Sequence, residues 1–253
     1  MSLSYSFKGK RVLVTGGGQG IGRQLVQRFH DDGAVVLTLD KNAEAIEQLQ
    51  KELPKVSAVT VDLTDWEATK KVIESFGGVD HVVNNAVVLI MQPLMEVTKE
   101  TASLHFDVSV LACINVVQTA AKGMIERGSG GSIVNISSIA AKRASPLTSM
   151  YAATKSALEM LTKSMSLELG AHNIRVNCIA PGLVAEITAP DTPPAESDPD
   201  MDAAIEKILA RTSIKRAIDP NEVADLVMFL LSPLSAMITG ESVMIDGGFA
   251  ANY

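Results

Sequence analysis

The chain has 253 residues, with 29 acidic against 22 basic side chains and a formal net charge of -7. No basic run interrupts that balance, so phosphate-backbone contact is disfavoured and no nucleic-acid partner is expected. Cys113 and Cys178 are the only cysteines, which excludes a disulfide framework or Cys-rich zinc site; no metal is expected, and a reduced, cytoplasmic setting fits.

The N-terminal MSLSYSFKGKR lacks an apolar core of signal-peptide length, and VADLVMFLLSPLSAMI is broken by Asp225 and Pro233. No membrane association is therefore expected. In chain order RVLVTG, AVVLTLD, VSAVTVD, DHVVNNA, SIVNISS, IRVNCIAPG and ESVMIDGG form short apolar runs bounded by turn residues, and each reads as a buried strand. Between them Ile21–His30, Ala43–Leu53, Asp65–Phe76 and Tyr151–Leu169 carry apolar residues at helical spacing. Strands alternating with helices predict an α/β fold, a single domain over 1–253 whose seven-stranded, mostly parallel, doubly wound sheet is covered on both faces. Ala189–Asp200, APDTPPAESDPD, reads as part of a loop.

The first strand runs into TGGGQGIG. Gly16, Gly20 and Gly22 would let the backbone turn sharply and approach a pyrophosphate at a helix N-terminus, the arrangement of a Rossmann dinucleotide site. Asp40 ends the second strand about twenty residues on, where a carboxylate accepts from ribose hydroxyls and repels a 2′-phosphate. NAD is expected on that ground; NADP is the alternative, because Lys41 stands next to Asp40. Asp62, ending the third strand, could reach the adenine.

With these residues assembled, the chain resembles the short-chain dehydrogenase/reductase family over nearly its whole length. The resemblance rests on TGGGQGIG, VNNA (Val83–Ala86), IVNISS (Ile133–Ser138), YAATK (Tyr151–Lys155) and APG (Ala180–Gly182), in that order. Asn84–Glu100, Val61–Thr69 and Leu161–Asn177 are similar to its tetrameric carbonyl reductase and L-xylulose reductase branch. The resemblance implies a catalytic Ser138, Tyr151 and Lys155. It also adds Gln19, Ile21, Leu63, Asn84, Ala86, Pro181, Gly182 and Val184 to the cofactor contacts, with Tyr151 and Lys155 shared. Tyr151 would exchange a proton with the substrate oxygen, Ser138 would polarise it, and the Lys155 ammonium, one helical turn on, would lower the phenol's pKa.

The chain departs from the family pattern in places. Ser109 stands where an asparagine usually organises a water-linked proton path, and it has fewer hydrogen-bonding atoms and a shorter reach. Asn115 points elsewhere by its periodicity. Val87 replaces a common glycine, and Glu186 stands where a threonine usually meets the nicotinamide carboxamide. His30, His81, His105 and His172 are expected in structural roles.

Val87–Gln92, Ile139–Lys142 and Leu183–Arg211 follow strand ends, where such sheets place ligands, with a substrate loop at about 183–213. The acidic third segment is either a solvated loop whose charge aids solubility or a lid that disfavours anions and leaves a small neutral carbonyl or alcohol: a ketone, diketone, sugar or polyol. The expected activity is NAD(P)(H)-dependent hydride transfer to or from such a molecule; the alternative is a dinucleotide-binding sensor or scaffold with weakened catalysis. The apolar helices around Thr101–Arg127 and Tyr151–Leu169, with the resemblance, imply a homotetramer in which the C-terminal DGGFAANY helps form an interface.

Overall fold

In β1 (Arg11–Thr15) Val12 and Val14 enter one buried cluster and Leu13 the other, because successive side chains of a strand leave opposite faces. A strand with three successive buried apolar residues needs cover on both sides, and the computed structural model, which describes residues 5–185 and 199–251, supplies it. The remaining strands are β2 (Val35–Asp40), β3 (Ser57–Thr60), β4 (His81–Asn84), β5 (Gly131–Ile136), β6 (Ile174–Pro181) and β7 (Ser242–Ile245). They form one sheet in the order β3-β2-β1-β4-β5-β6-β7. Every pairing is parallel. All the expected strands occur, and the sheet is wholly rather than mostly parallel.

The helices divide between the faces. Helices α1 (Gly20–Asp31), α2 (Ala43–Glu52) and α8 (Pro220–Leu231) pack with Val12 and Val14. Helices α3 (Trp66–Ser75), α5 (Ala112–Arg127) and α6 (Ser149–Leu169) pack with Leu13. Helices α4 (Lys99–Phe106) and α7 (Pro199–Arg211) complete the set. After β3 at the sheet edge the chain crosses back to place β4 beside β1. That reversal opens a crevice at the carboxyl ends of β1 and β4, where open α/β sheets bind ligands.

One expected helix is irregular. Residues Asp107–Leu111 widen into a π-helical turn between α4 and α5, so Lys99–Arg127 is a single run with a local bulge. By length and composition this run could cross a membrane, but half of its apolar window is buried within the chain, where α5 packs on α3 and on β4 and β5.

Helix starts also differ. Helices α2, α3, α4 and α8 begin on Asn42, Asp65, Thr98 and Asp219, each of whose side chains accepts a backbone N–H of the first turn, as capping residues do. Gln19, at the head of α1, gives no such cap. The first amides of α1 are left facing the crevice.

Candidate active site

The glycine turn is shaped by what a methyl group would strike. A Cβ at Gly22 would overlap the Gly16 carbonyl and the Asn85 amide, and one at Gly16 would sit 2.8 Å from the Ala86 Cα. At Gly20 (φ 57°) no atom lies within 4 Å of that position. Gly16 and Gly22 are thus glycines for packing, whereas Gly20 leaves open space before the uncapped helix. Thr15 and Asn85 lace the turn to β4. The Thr15 hydroxyl accepts from the amides of Asn85 (3.0 Å) and Ala86 (3.1 Å), and the Asn85 side chain donates to the carbonyls of Thr15 (3.1 Å) and Gly16 (3.0 Å).

The resulting cleft has a volume of about 260 Å³ and is lined by Gly16, Gln19, Gly20, Ile21, Asp40, Asp62, Leu63 and Ala86, with Lys41, Asn85, Val87, Val88 and Val108 among the rest. Asp40 accepts from the Gly18 amide at 2.9 Å and the Asn42 amide at 3.0 Å. Asp62 accepts from both the amide and hydroxyl of Thr64, at 2.9 and 2.8 Å. The Thr64 amide holds the Asp62 pKa below its ordinary value. An uncapped helix start, an open glycine and a strand-end carboxylate match the phosphate and ribose of a dinucleotide.

The second half of the site rises from β5 and α6. The Ser138 hydroxyl accepts from the Ala140 amide at 3.1 Å and lies close enough to the Tyr151 phenol to act on its pKa. Lys155, one turn beyond Tyr151, is only 2% exposed. Its Nζ lies 5.6 Å from the Tyr151 ring centroid and donates to the Ile136 carbonyl at 2.7 Å. The Ser137 hydroxyl donates to the Lys155 carbonyl at 3.2 Å, and Asn135 donates to the Thr162 hydroxyl at 2.9 Å. The end of β5 is thereby stapled along α6, which fixes the serine against the tyrosine.

Residues 16–250 match the family model described as Enoyl-(Acyl carrier protein) reductase. The L-xylulose reductase of Bos taurus is 44% identical over 243 residues, covering 96% of this chain and 97% of that one. The structure of a short-chain type dehydrogenase/reductase from Mycobacterium ulcerans superposes with a TM-score of 0.86 at 30% identity, covering 98% of this chain and 92% of that one. This chain belongs to the short-chain dehydrogenase/reductase family. Carbonyl reductase [NADPH] 2 of Sus scrofa, also similar, is 40% identical over 250 residues, 99% of this chain and 100% of that one. As a short-chain dehydrogenase/reductase the protein is an oxidoreductase that uses a nicotinamide dinucleotide and acts on CH–OH and C=O groups of small molecules.

Several sequence expectations need adjustment. Asn84 does not line the dinucleotide cleft: its side chain donates to Asn135 at 2.9 Å and is buried behind it. The neighbouring Asn85 lines the cleft instead. Along a strand the two amides face opposite ways, and the motif NNA alone does not say which faces in. Gly22 acts by close packing and is not part of the cleft lining. Pro181, Gly182 and Val184 stand apart from the cleft at the carboxyl end of β6, where the Gly182 amide donates to the Ile245 carbonyl at 2.9 Å and Val184 bridges to Ile218. Glu186 and most of the acidic substrate segment fall outside the described residues.

The electrostatics of the phenol also differ from the simple expectation. Burial raises the Tyr151 pKa, with Ser138 acting in the opposite direction. Burial also lowers the Lys155 pKa to about 8, because removing a charge from water disfavours the charged form. Desolvation therefore outweighs the effect of Ser138, and Tyr151 is held as a neutral phenol.

Ser109 sits in the π-helical turn with its hydroxyl buried and without a hydrogen-bond partner among the described residues. It lines a void of about 10 Å³ with Asn84, whose Oδ1 is likewise unpartnered. Asn115 donates to the Trp66 carbonyl at 2.9 Å and so belongs to the α3–α5 packing.

Proposed function

We propose that this short-chain dehydrogenase/reductase interconverts small neutral ketones and alcohols, with ketoses and diketones as the carbonyl substrates and NAD(H) as the preferred dinucleotide. The observation that carries the reading is the grouping of Ser138, Tyr151 and Lys155 at the carboxyl end of β5, the strand paired with β4, beyond whose end Asn85–Val88 line the glycine-turn cleft. The names of the bovine and pig relatives supply the substrate class.

When bound, a nicotinamide dinucleotide supplies the hydride acceptor or donor. Gly16, Gln19, Gly20, Ile21, Asp40, Asp62, Leu63 and Ala86 would hold it. Tyr151, kept protonated by burial, gives its proton to the carbonyl oxygen during reduction and takes one back during oxidation. Ser138 stands beside that oxygen as a second hydrogen-bond partner and fixes the phenol's direction. Lys155 is a buried positive charge below pH 8, and favours the phenolate that Tyr151 becomes after giving up its proton.

The preference for NAD(H) follows from Asp40. Its carboxylate is anchored at the cleft wall by the Gly18 and Asn42 amides, so a 2′-phosphate there would meet a fixed negative charge. The pig relative is named for NADPH, so on this reading the two proteins differ in dinucleotide preference. The protein assembles as a homotetramer, a reading supported by Leu111, Met160 and Leu167, which are 45%, 62% and 84% exposed on the α4–α6 side. Free, buried thiols at Cys113 and Cys178 suit a cytoplasmic setting.

Steady-state turnover of short ketoses, small diketones and the matching alcohols with NADH and NADPH tests the reading. The expected result is turnover with kcat/KM higher for NADH. Tight NADH binding with no turnover across the panel would replace the enzyme by a dinucleotide sensor, and a clear NADPH preference would overturn the role of Asp40.

A further inference from the structure

His105 is completely buried on α4, and nothing in the arrangement above uses it. Both of its ring nitrogens are engaged. Nε2 accepts from the Ile90 backbone N–H at 3.3 Å, and Nδ1 lies 2.9 Å from the Thr101 carbonyl oxygen. An amide N–H only donates and a carbonyl only accepts, so the two contacts together require a neutral ring with its proton on Nδ1.

The loop held by this ring has few other anchors. Residues 85–93 follow β4 with neither helix nor strand, so their backbone groups have no ladder to join. At the near end the Asn85 and Ala86 amides donate to the Thr15 hydroxyl. At the far end the Gln92 amide donates to the Leu147 carbonyl at 2.9 Å. Leu147 has φ 67°, a left-handed conformation that is costly for a side chain of this size and concentrates at functional sites. It lies on the segment that leads into Tyr151. Between these ties the His105 ring holds the middle of the loop.

The loop has no core to fill. Val87 and Val88 line the dinucleotide cleft, while Leu89, Ile90 and Met91 are exposed. The result is an apolar wall running from the cleft towards the segment before Tyr151.

We propose that His105 is a positioning residue for carbonyl turnover: its neutral imidazole clamps the Ile90 amide and so sets the Val87–Met91 wall against which the substrate is seated. The proposal deepens the carbonyl–alcohol reading and rests on it for the substrate.

Three variants separate the clamp from a merely structural histidine. His105→Gln extends an acceptor to the position of Nε2, His105→Asn preserves only the bond towards Thr101, and His105→Leu preserves neither. The expected result is that Leu and Asn raise KM for the ketone about tenfold, the factor of one lost hydrogen bond, with kcat within about twofold of wild type. Gln should restore KM.

In the ligand-free protein, hydrogen exchange at the Ile90 amide should be slow for wild type and Gln, and faster for Asn and Leu. Rescue by Asn in place of Gln, or unchanged KM in all three, would overturn the proposal. So would an unprotected Ile90 amide in the wild-type chain, a measurement that stands even where a variant does not fold. A wild-type chain with no ketone turnover would refute the proposed reaction alone, and the exchange data would still decide whether the clamp exists.

Discussion

Helices α1 and α6 lie on opposite faces of the same sheet and bury opposite kinds of side chain. The buried face of α1 is Gly22, Leu25, Val26 and Phe29, an ordinary apolar stripe that packs at the helical period. The buried face of α6 is Thr154, Lys155, Leu158, Thr162 and Ser166, four polar side chains and a single leucine. At α1 the fold and the ligand share an interest: small residues allow close packing and leave amides open. At α6 they conflict, because an amine removed from water is unfavourable for the fold yet is the charge the chemistry needs. The dinucleotide half of the site is therefore built by omission of side chains, and the proton-transfer half by burial of unfavourable ones.

The sharpest way to break this contrast is Tyr151→Phe. Loss of the general acid should lower kcat on the order of 10³-fold while dinucleotide affinity, measured by fluorescence titration, stays within about twofold. Lost affinity would show that the two halves are not separable.

Next is Lys155→Met, read by stability. An amine whose pKa falls from an ordinary 10.5 to about 8 on folding opposes folding at full strength below pH 8. That opposition fades as pH rises and is gone above about 10.5. Denaturant titrations should therefore show wild type gaining on the variant by about 3 kcal/mol across this window, whatever the fixed effect of the unpaired Ile136 carbonyl. A difference independent of pH would mean that folding leaves the amine at its ordinary pKa, so that burial does not oppose its charge.

A paired test sharpens the glycine side. Gly22→Ala drives a methyl group into the Gly16 carbonyl and should destabilise the fold by about 1–3 kcal/mol, as overpacking does. Gly20→Ala meets no atom; its positive φ should cost about 1 kcal/mol while dinucleotide affinity falls more than stability. Equal effects on both readouts would erase the distinction between packing and ligand glycines. The smallest change expected is Asp40→Asn, which preserves an acceptor for the loop amides and removes the charge. The ratio of kcat/KM for NADPH over NADH should rise about fivefold, the scale of one unit charge in a wet cleft.

Much of this architecture is legible in the residues. β1, β2 and β4–β6 each carry adjacent apolar residues, which is what cover on both faces requires, and the strand-turn-glycine-helix order at Thr15–Gly22 positions one cleft. Tyr151 and Lys155 announce themselves by spacing. The direction of the lysine's reach, to the Ile136 carbonyl, does not, because it depends on which strand packs above that turn of α6. Nor does the division of labour between Asn84 and Asn85, which one residue of register decides. His105 looks like any helix histidine in the sequence; only the fold of a loop some fifteen residues earlier brings Ile90 to its ring.

The bulge at Asp107–Leu111 sets the angle between His105, upstream of it, and the core face of α5, downstream. An α-helix turns about 100° per residue, and a π turn accommodates one residue more than an α turn. Regularising the helix there with every residue retained would swing everything upstream about 100° around its axis while α5 stayed seated on the sheet. His105 would leave its place beneath Ile90, although no atom of the ring, the loop or the catalytic helix had been altered. The bulge acts as the phase setting between two halves of one rod, and its length is as much a specification of the active site as any side chain that faces it.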